Sequence, residues 1–181
     1  MNFIFTRNEF DDVVVIEPRL FHDERGYFCE TYKASQFRTG GISDEFIQDN
    51  QSFSKYGVIR GLHFQHAPKA QAKLVRCIAG EIYDCIVDLR RSSKTFGKHF
   101  GINLSAENKL MLYVPAGFAH GFSTLSQTAE VCYKVSAEYD PKLDAGLRFD
   151  DPDLAIDWKV SGTPLVSSKD SALPLFRDLA I

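Results

Sequence analysis

A series of short β-type runs, each closed by glycine or polar residues, limits this chain more than any other feature. Residues 13–16, 27–32, 58–64, 73–79, 81–89, 100–104, 110–114 and 131–135 are rich in Val, Ile, Leu, Phe and Tyr. Gly26, Gly57, Gly80, Gly97, Gly101, Gly117 and Gly121 punctuate them. Strands at this spacing, with no long helices alternating between them, specify an all-β sandwich or barrel rather than a parallel α/β sheet. Helix is expected only in a short stretch at 33–38 and in a terminal one after Ser167. No repeat, low-complexity tract or long linker divides the chain, and 181 residues suffice for one hydrophobic core. The expectation is a single domain over 1–181 with a less regular tail from about Asp150.

The charge balance removes several classes of partner. Lys and Arg number 21 against 24 Asp and Glu, a net charge of −3. Such a chain has no broad attraction for nucleic acid or anionic membrane, so any anion site must be local. No apolar run approaches the ~20 residues that span a bilayer. The opening MNFIFTRNEF is interrupted by Arg7, Asn8 and Glu9 and lacks a signal-peptide core. A cytoplasmic location is therefore expected. Cys29, Cys77, Cys85 and Cys132 form no C-x-x-C pair and lie in strand-like runs, which predicts buried reduced thiols rather than a zinc or redox motif.

Two polar residues stand where strand interiors are expected. His63 lies in the run from Val58 to Gln65, and Lys73 opens the run from Lys73 to Ile78. Side chains alternate between the faces of a strand, so Lys73 is expected to share a face with Val75 and Cys77, and His63 with Ile59. A base and a cation among apolar neighbours point to a reactive site inside a β-structure. Further along, Pro115 to His120 has the P-x-G-x-x-H form of the second cupin motif, the mark of a small double-sheet jelly roll. Metal cupins pair that motif with H-x-H followed by Glu. Here His63 and His66 are separated by two residues, and positions three apart in a flat strand face opposite sides. The nearest acid beyond is Glu81, so the metal cage is incomplete. His22, His66 and His99 sit in polar or turn-like contexts and take no role.

Six segments in order carry a more specific signal. They are Phe21-His22-Asp23-Glu24-Arg25-Gly26-Tyr27-Phe28-Cys29-Glu30, Gln48-Asp49-Asn50-Gln51-Ser52, Arg60-Gly61-Leu62-His63-Phe64-Gln65, Ala70-Gln71-Ala72-Lys73-Leu74-Val75-Arg76, the Pro115–Phe122 run with Tyr133-Lys134, and Ser168-Lys169-Asp170. Together they resemble the dTDP-4-dehydrorhamnose 3,5-epimerase family over nearly the whole chain. The resemblance implies a cupin-type jelly-roll barrel with a few short helices, mainly near the C-terminus, and neither a metal nor a cofactor. It implies a homodimer in which an N-terminal strand crosses to the partner, and a substrate, dTDP-4-dehydro-6-deoxy-D-glucose, inverted at C3 and C5. By position, His63 is the implied base, Asp170 its orienting carboxylate, Tyr133 the acid and Lys73 the stabiliser of the enolate. Phe21, Arg25, Glu30, Gln48, Asp49, Asn50, Arg60, His120, Asp144 and Lys169 are implied substrate contacts, and Tyr139 is expected to stack on the thymine. The chain departs from the family pattern where Glu138-Tyr139 replaces a tyrosine pair, where Asp144 replaces a glutamate and where Phe149 replaces a tryptophan.

These residue types suit the chemistry. A proton α to a ketone leaves only if a base of suitable pKa takes it and positive charge meets the oxygen that becomes anionic. Histidine, with a reference pKa of ~6.5, serves as base near neutrality, and a carboxylate on its other ring nitrogen fixes its tautomer. Inversion needs a proton delivered to the opposite face, hence a second group across the sugar. Tyr133, sharing its strand face with Val131 and Val135, can point inward. Arginine at positions 25 and 60 suits a diphosphate because guanidinium binds phosphate oxygens in fork geometry. Three other readings compete: an enzyme of the same fold that inverts one carbon or moves the ketone, a metal-dependent cupin, and a sugar-nucleotide binding module without catalysis.

Overall fold

The computed structural model describes residues 1–10 and 12–179. Two antiparallel sheets face one another across an apolar interior. One has the order β1(Phe3–Arg7), β2(Val14–Pro18), β10(Met111–Val114), β7(Lys73–Ala79), β12(Thr128–Val135), β5(Gln48–Lys55). The other runs β13(Asp144–Gly146), β6(Ile59–Gln65), β11(Phe118–Thr124), β8(Glu81–Asp88), β9(His99–Ser105). No ladder joins the two among the described residues, so the jelly roll is a sandwich-like barrel without closure by hydrogen bonds. A separate hairpin, β3(Phe21–Asp23) with β4(Gly26–Phe28), lies outside both sheets.

Alternation along the strands builds three packing layers. Ile82 and Ile86 of β8 enter the central cluster with Val75, Cys77, Leu112, Phe118, Phe122 and Val131. Cys85 and Val87 point the other way and pack beneath Leu147, Leu154 and Trp158 of the C-terminal segment. The irregular tail is thus the outer cover of the five-stranded sheet, which is why it carries little regular structure yet buries its apolar residues. On the opposite side, α1(Ala34–Thr39) lays Phe37 over Val14, Ile16 and Leu74 of the six-stranded sheet. α2(Ser168–Ser171) is one turn, capped by the Ser167 hydroxyl, which accepts from the Asp170 N–H at 3.0 Å.

The thiols divide two ways. Cys77 and Cys85 are buried, whereas Cys29 and Cys132 are only partly covered, and Cys29 falls just after β4 rather than within a strand. The expected strand at 27–32 is therefore shorter than the sequence indicates. No helix among the described residues is long and apolar enough to cross a membrane.

Candidate active site

Strand β6 carries the site's main irregularity. Against β11 it pairs His63 with His120 and Arg60 with Phe122, so three steps on β6 match two on β11. This bulge inserts one residue and shifts the alternation. Ile59 packs with Leu62 and Phe64 in the outer layer and also reaches the wall of the cavity that His63 lines. Arg60 and His63, three positions apart, line that same cavity. Gly61 makes the crossing possible: its φ is +122°, and a Cβ there would lie 2.5 Å from the Gly121 Cα. Only glycine tolerates both the conformation and the approach. His66 lies beyond the bulge and packs its ring on Phe64 at 5.0 Å, away from His63.

The cavity has a volume of about 510 Å³, and both sheets contribute to it. His63 and His120 come from the five-stranded sheet; Lys73 and Tyr133 come from the six-stranded sheet facing it. Asp170, from α2, closes one side. A second cavity of about 310 Å³ shares His63, Lys73 and Tyr133 with the first and continues past Asn50, Tyr139, Asp144 and Lys169. The two form a cleft with the three shared polar residues near its middle, the size and mixed lining expected of a small-molecule site.

His63 Nε2 lies 2.8 Å from Asp170 Oδ1, and Asp170 Oδ2 accepts from the Gly61 N–H at 3.2 Å. Burial opposes the charge of Asp170, yet the hydrogen bond and charge of His63, with the Gly61 N–H, bring its pKa below the ordinary aspartate value. A carboxylate so held orients the imidazole with Nε2–H toward it and leaves Nδ1 as the basic nitrogen. His63 is about one-third exposed and therefore accessible to a ligand. Lys73 is buried, and its ammonium donates across the interior to the His63 carbonyl at 3.1 Å. Loss of water pulls its pKa down to about 8, against the attraction of Asp84 and Asp144. Tyr133 is raised above the usual phenol value, first by burial, so it enters the cleft as the protonated phenol. Its hydroxyl has no hydrogen-bond partner among the described residues and is available to a ligand.

Other residues singled out from the sequence divide by strand face. Gln48 and Asn50 pair with Val135 and Tyr133 across β5 and β12 and face the second cavity, where Gln48 Nε2 donates to Asn50 Oδ1 at 2.8 Å. Asp49 alternates to the outer face and pairs with Lys134 at 2.6 Å. Asp144 accepts from Lys169 and from the Tyr139 hydroxyl, the latter at 3.1 Å, and so ties α2 to the cleft rim. Arg60 is anchored through Nε to Ser54 Oγ at 3.0 Å and through Nη2 to the Phe53 carbonyl at 3.0 Å. It makes no ion pair among the described residues. Phe21, Arg25 and Glu30 line neither cavity. Arg25 pairs with Asp23 on the exposed hairpin, and Glu30 accepts from Asn2 Nδ2 at 2.8 Å. Phe149 packs in the outer layer under the tail.

Sequence reasoning missed Ser52, Phe122 and Ser167 in the first cavity, Gln65 and Gln71 in the second, and Asp84 behind His120. The Asp84 carboxylate on β8 accepts from no backbone group among the described residues; its Oδ1 lies 2.8 Å from His120 Nε2 at full burial. The signal was present in the sequence, since Asp84 falls between Ile82 and Ile86 at the period that turns side chains inward. No group of three or more His, Cys, Asp or Glu side chains among the described residues is arranged to hold a metal. Each interior histidine already has Nε2 engaged by a carboxylate.

A family model described as dTDP-4-dehydrorhamnose 3,5-epimerase matches residues 7–178. The dTDP-4-dehydrorhamnose 3,5-epimerase of Shigella flexneri is 50% identical over 171 residues, 94% of this chain and 93% of that one. Its counterpart from Salmonella typhimurium is 47% identical over 173 residues, covering 95% and 94%. Among solved structures, the dTDP-6-deoxy-D-glucose-3,5-epimerase of Legionella pneumophila in complex with dTDP-4-keto-L-rhamnose superposes with a TM-score of 0.94 at 41% identity, covering 98% of this chain and 95% of that one.

Proposed function

The chain belongs to the dTDP-4-dehydrorhamnose 3,5-epimerase family, and from that premise we propose how its own residues perform the inversion of dTDP-4-dehydro-6-deoxy-D-glucose to dTDP-4-dehydro-L-rhamnose. The observation that carries the reading is the placement of His63 on one sheet, paired with Asp170 of α2, and of the half-buried Tyr133 phenol on the facing sheet, all lining one cleft. His63 removes the proton α to the C4 ketone, and Asp170 stabilises the imidazolium that results. The Lys73 ammonium lies beside the ketone oxygen and meets the enolate charge in a site of low dielectric. Tyr133 delivers a proton to the opposite face; exchange with solvent then takes the proton from the His63 imidazolium and restores that of the Tyr133 phenolate, and the same cycle at the second α-carbon completes the double inversion. Incubation with the keto-sugar nucleotide, before and after exhaustive chelation, should give the L-rhamno product at the same rate. Unchanged substrate, or activity lost on chelation and restored by one divalent ion, would overturn the reading.

Arg60 serves the diphosphate. It is exposed at the cavity and fixed by Ser54 and Phe53, and an arginine already oriented binds phosphate oxygens with little further loss of freedom. Arg60→Ala should weaken substrate and dTDP together, by calorimetry, with a smaller change in kcat. Equal dTDP affinity in the two proteins would remove Arg60 from the phosphate site. Asn50, Asp144 and Lys169 bind the remaining polar groups of the sugar nucleotide, and Tyr139, half exposed at the rim, stacks on the thymine.

The working unit is a homodimer whose hairpins are exchanged. Phe21, Tyr27 and Phe28 are 39%, 51% and 65% exposed on the β3–β4 hairpin, an apolar cluster that a second copy would cover. Such an exchange would carry Phe21, Arg25 and Glu30 toward the partner's cleft. Sedimentation at micromolar concentration should give about twice the chain mass of 20.4 kDa; a fully active monomer would contradict the assignment. Four free thiols support a reducing, cytoplasmic location.

A further inference from the structure

The segment from Ala137 to Asp140 leaves β12 and carries Tyr139, yet it belongs to no strand or helix. Its backbone groups find their partners in three glutamine side chains. Gln71 Nε2 donates to the Ala137 carbonyl at 2.7 Å, and Gln65 Nε2 donates to the Glu138 carbonyl at 3.2 Å. The Tyr139 N–H donates to Gln48 Oε1 at 2.9 Å, and the Asp140 N–H donates to Gln65 Oε1 at 2.7 Å. Gln65 thus grips the chain on both sides of Tyr139, and its Nε2 also donates to the Lys69 carbonyl at 2.8 Å. It is 5% exposed, and backbone groups that lose a partner in such a place are costly. The grip needs an amide: a glutamate could not donate to two carbonyls, and a lysine could not accept from an N–H. Gln48, Gln65, Gln71 and Tyr139 all line the second cavity. The far end of Tyr139 is tied as well, since its hydroxyl donates to Asp144, which pairs with Gln65 across β13 and β6.

We propose that Gln65 is a positioning residue for nucleobase recognition: its amide holds Tyr139 in the binding pose before the nucleotide arrives. The proposal rests on the reading that Tyr139 stacks on the thymine. A stacking ring on a free loop samples many poses, and affinity for the base falls with the fraction of time spent in the competent one. Tying the loop to the sheet removes that loss in advance. The hydrogen bonds of the Gln65 side chain go to Lys69, Glu138 and Asp140, and none goes to His63, Lys73, Tyr133 or Asp170 among the described residues. Gln65 therefore acts on base recognition and leaves the acid–base chemistry alone.

Gln65→Met tests this, because methionine keeps the length of the side chain and removes all three of its hydrogen bonds. By calorimetry the dissociation constant for dTDP should rise about tenfold, as expected if the ring is then competent about one-tenth of the time. That for inorganic pyrophosphate, which has no base, should not change. KM should rise with the dTDP constant while kcat stays within about twofold. In a Tyr139→Ala background the same substitution should add nothing further, since its effect passes through the ring. Equal losses for dTDP and pyrophosphate, or a full loss added to that of Tyr139→Ala, would mark a merely structural role and overturn the proposal. Wild-type dTDP affinity in Gln65→Met beside a weakened Tyr139→Ala would remove the Gln65 assignment alone. Wild-type dTDP affinity in Tyr139→Ala would remove the stacking reading, and the proposal with it. Should Gln65→Met not fold, amide hydrogen exchange of the wild-type protein decides. The Tyr139 and Asp140 N–H groups should be as protected in the free protein as with dTDP bound; protection gained only on binding would show that the nucleotide, not Gln65, orders the segment.

Discussion

His63→Ala should lower kcat by about 10²–10⁴-fold or more, the usual worth of a positioned general base, while dTDP affinity changes far less. The separation follows from the geometry. His63 lies near the middle of the cleft with Nε2 committed to Asp170, whereas Arg60 and the rim formed by Tyr139, Asp144 and Lys169 lie to either side. Asp170→Asn should also be slow, because an amide that presents its NH₂ to Nε2 favours the wrong tautomer and cannot balance an imidazolium. Its other oxygen accepts from Gly61 at the β6 bulge, so the variant must be shown by circular dichroism and melting to keep the fold. Near-native turnover in His63→Ala would show that another group takes the proton. Equal losses in kcat and in dTDP affinity would point to a collapsed cleft rather than a missing base.

Tyr133→Phe should separate proton removal from inversion. The substitution keeps the ring that packs against the interior cluster and deletes the single proton the side chain can give. His63 stands on the facing sheet and is untouched, so enolate should still form. With no donor on the far face, reprotonation should return mostly from the face of His63. Inversion should then fall by about 10²–10⁴-fold, the contribution of a general acid, while exchange of the α-hydrogens with solvent continues. Loss of exchange and inversion in equal proportion, or loss of neither, would show that Tyr133 is not the donor.

Alternation made the two-faced strands legible. Residues 73–79 and 81–89 read as strands from sequence because apolar side chains recur along them, and strands form at 73–79 and 81–88. β5 escaped notice because QDNQSFSK is polar on both faces: one face lines the cleft and the other is exposed. β11 has the opposite character, buried along its whole length between the interior and the covering tail, so it shows as a motif rather than as a period of two. The strand expected at 27–32 stops at Phe28, where the hairpin leaves the sheets. Within the site, Lys73 and Tyr133 follow from simple alternation with Val75 and Val131. Arg60 does not, because the extra residue at Gly61 cancels the rule that separates positions three apart. Gln48, Asn50 and Asp49 show the rule at work again, the first two turned inward and Asp49 outward to Lys134. Asp170 and Lys169 were reachable only through the family resemblance, since nothing local in a four-residue helix says that it closes on a strand more than a hundred positions earlier.

The central claim is that one base and one acid, on facing sheets, invert both carbons flanking a ketone through an enolate. Wild-type protein turning over dTDP-4-dehydro-6-deoxy-D-glucose in D₂O tests it most directly, with NMR of the recovered sugar reading configuration and isotope at C3 and C5. The account predicts inversion at both carbons, with solvent deuterium at each inverted centre. Inversion at one carbon only, or inverted centres that keep their original hydrogen, would contradict it.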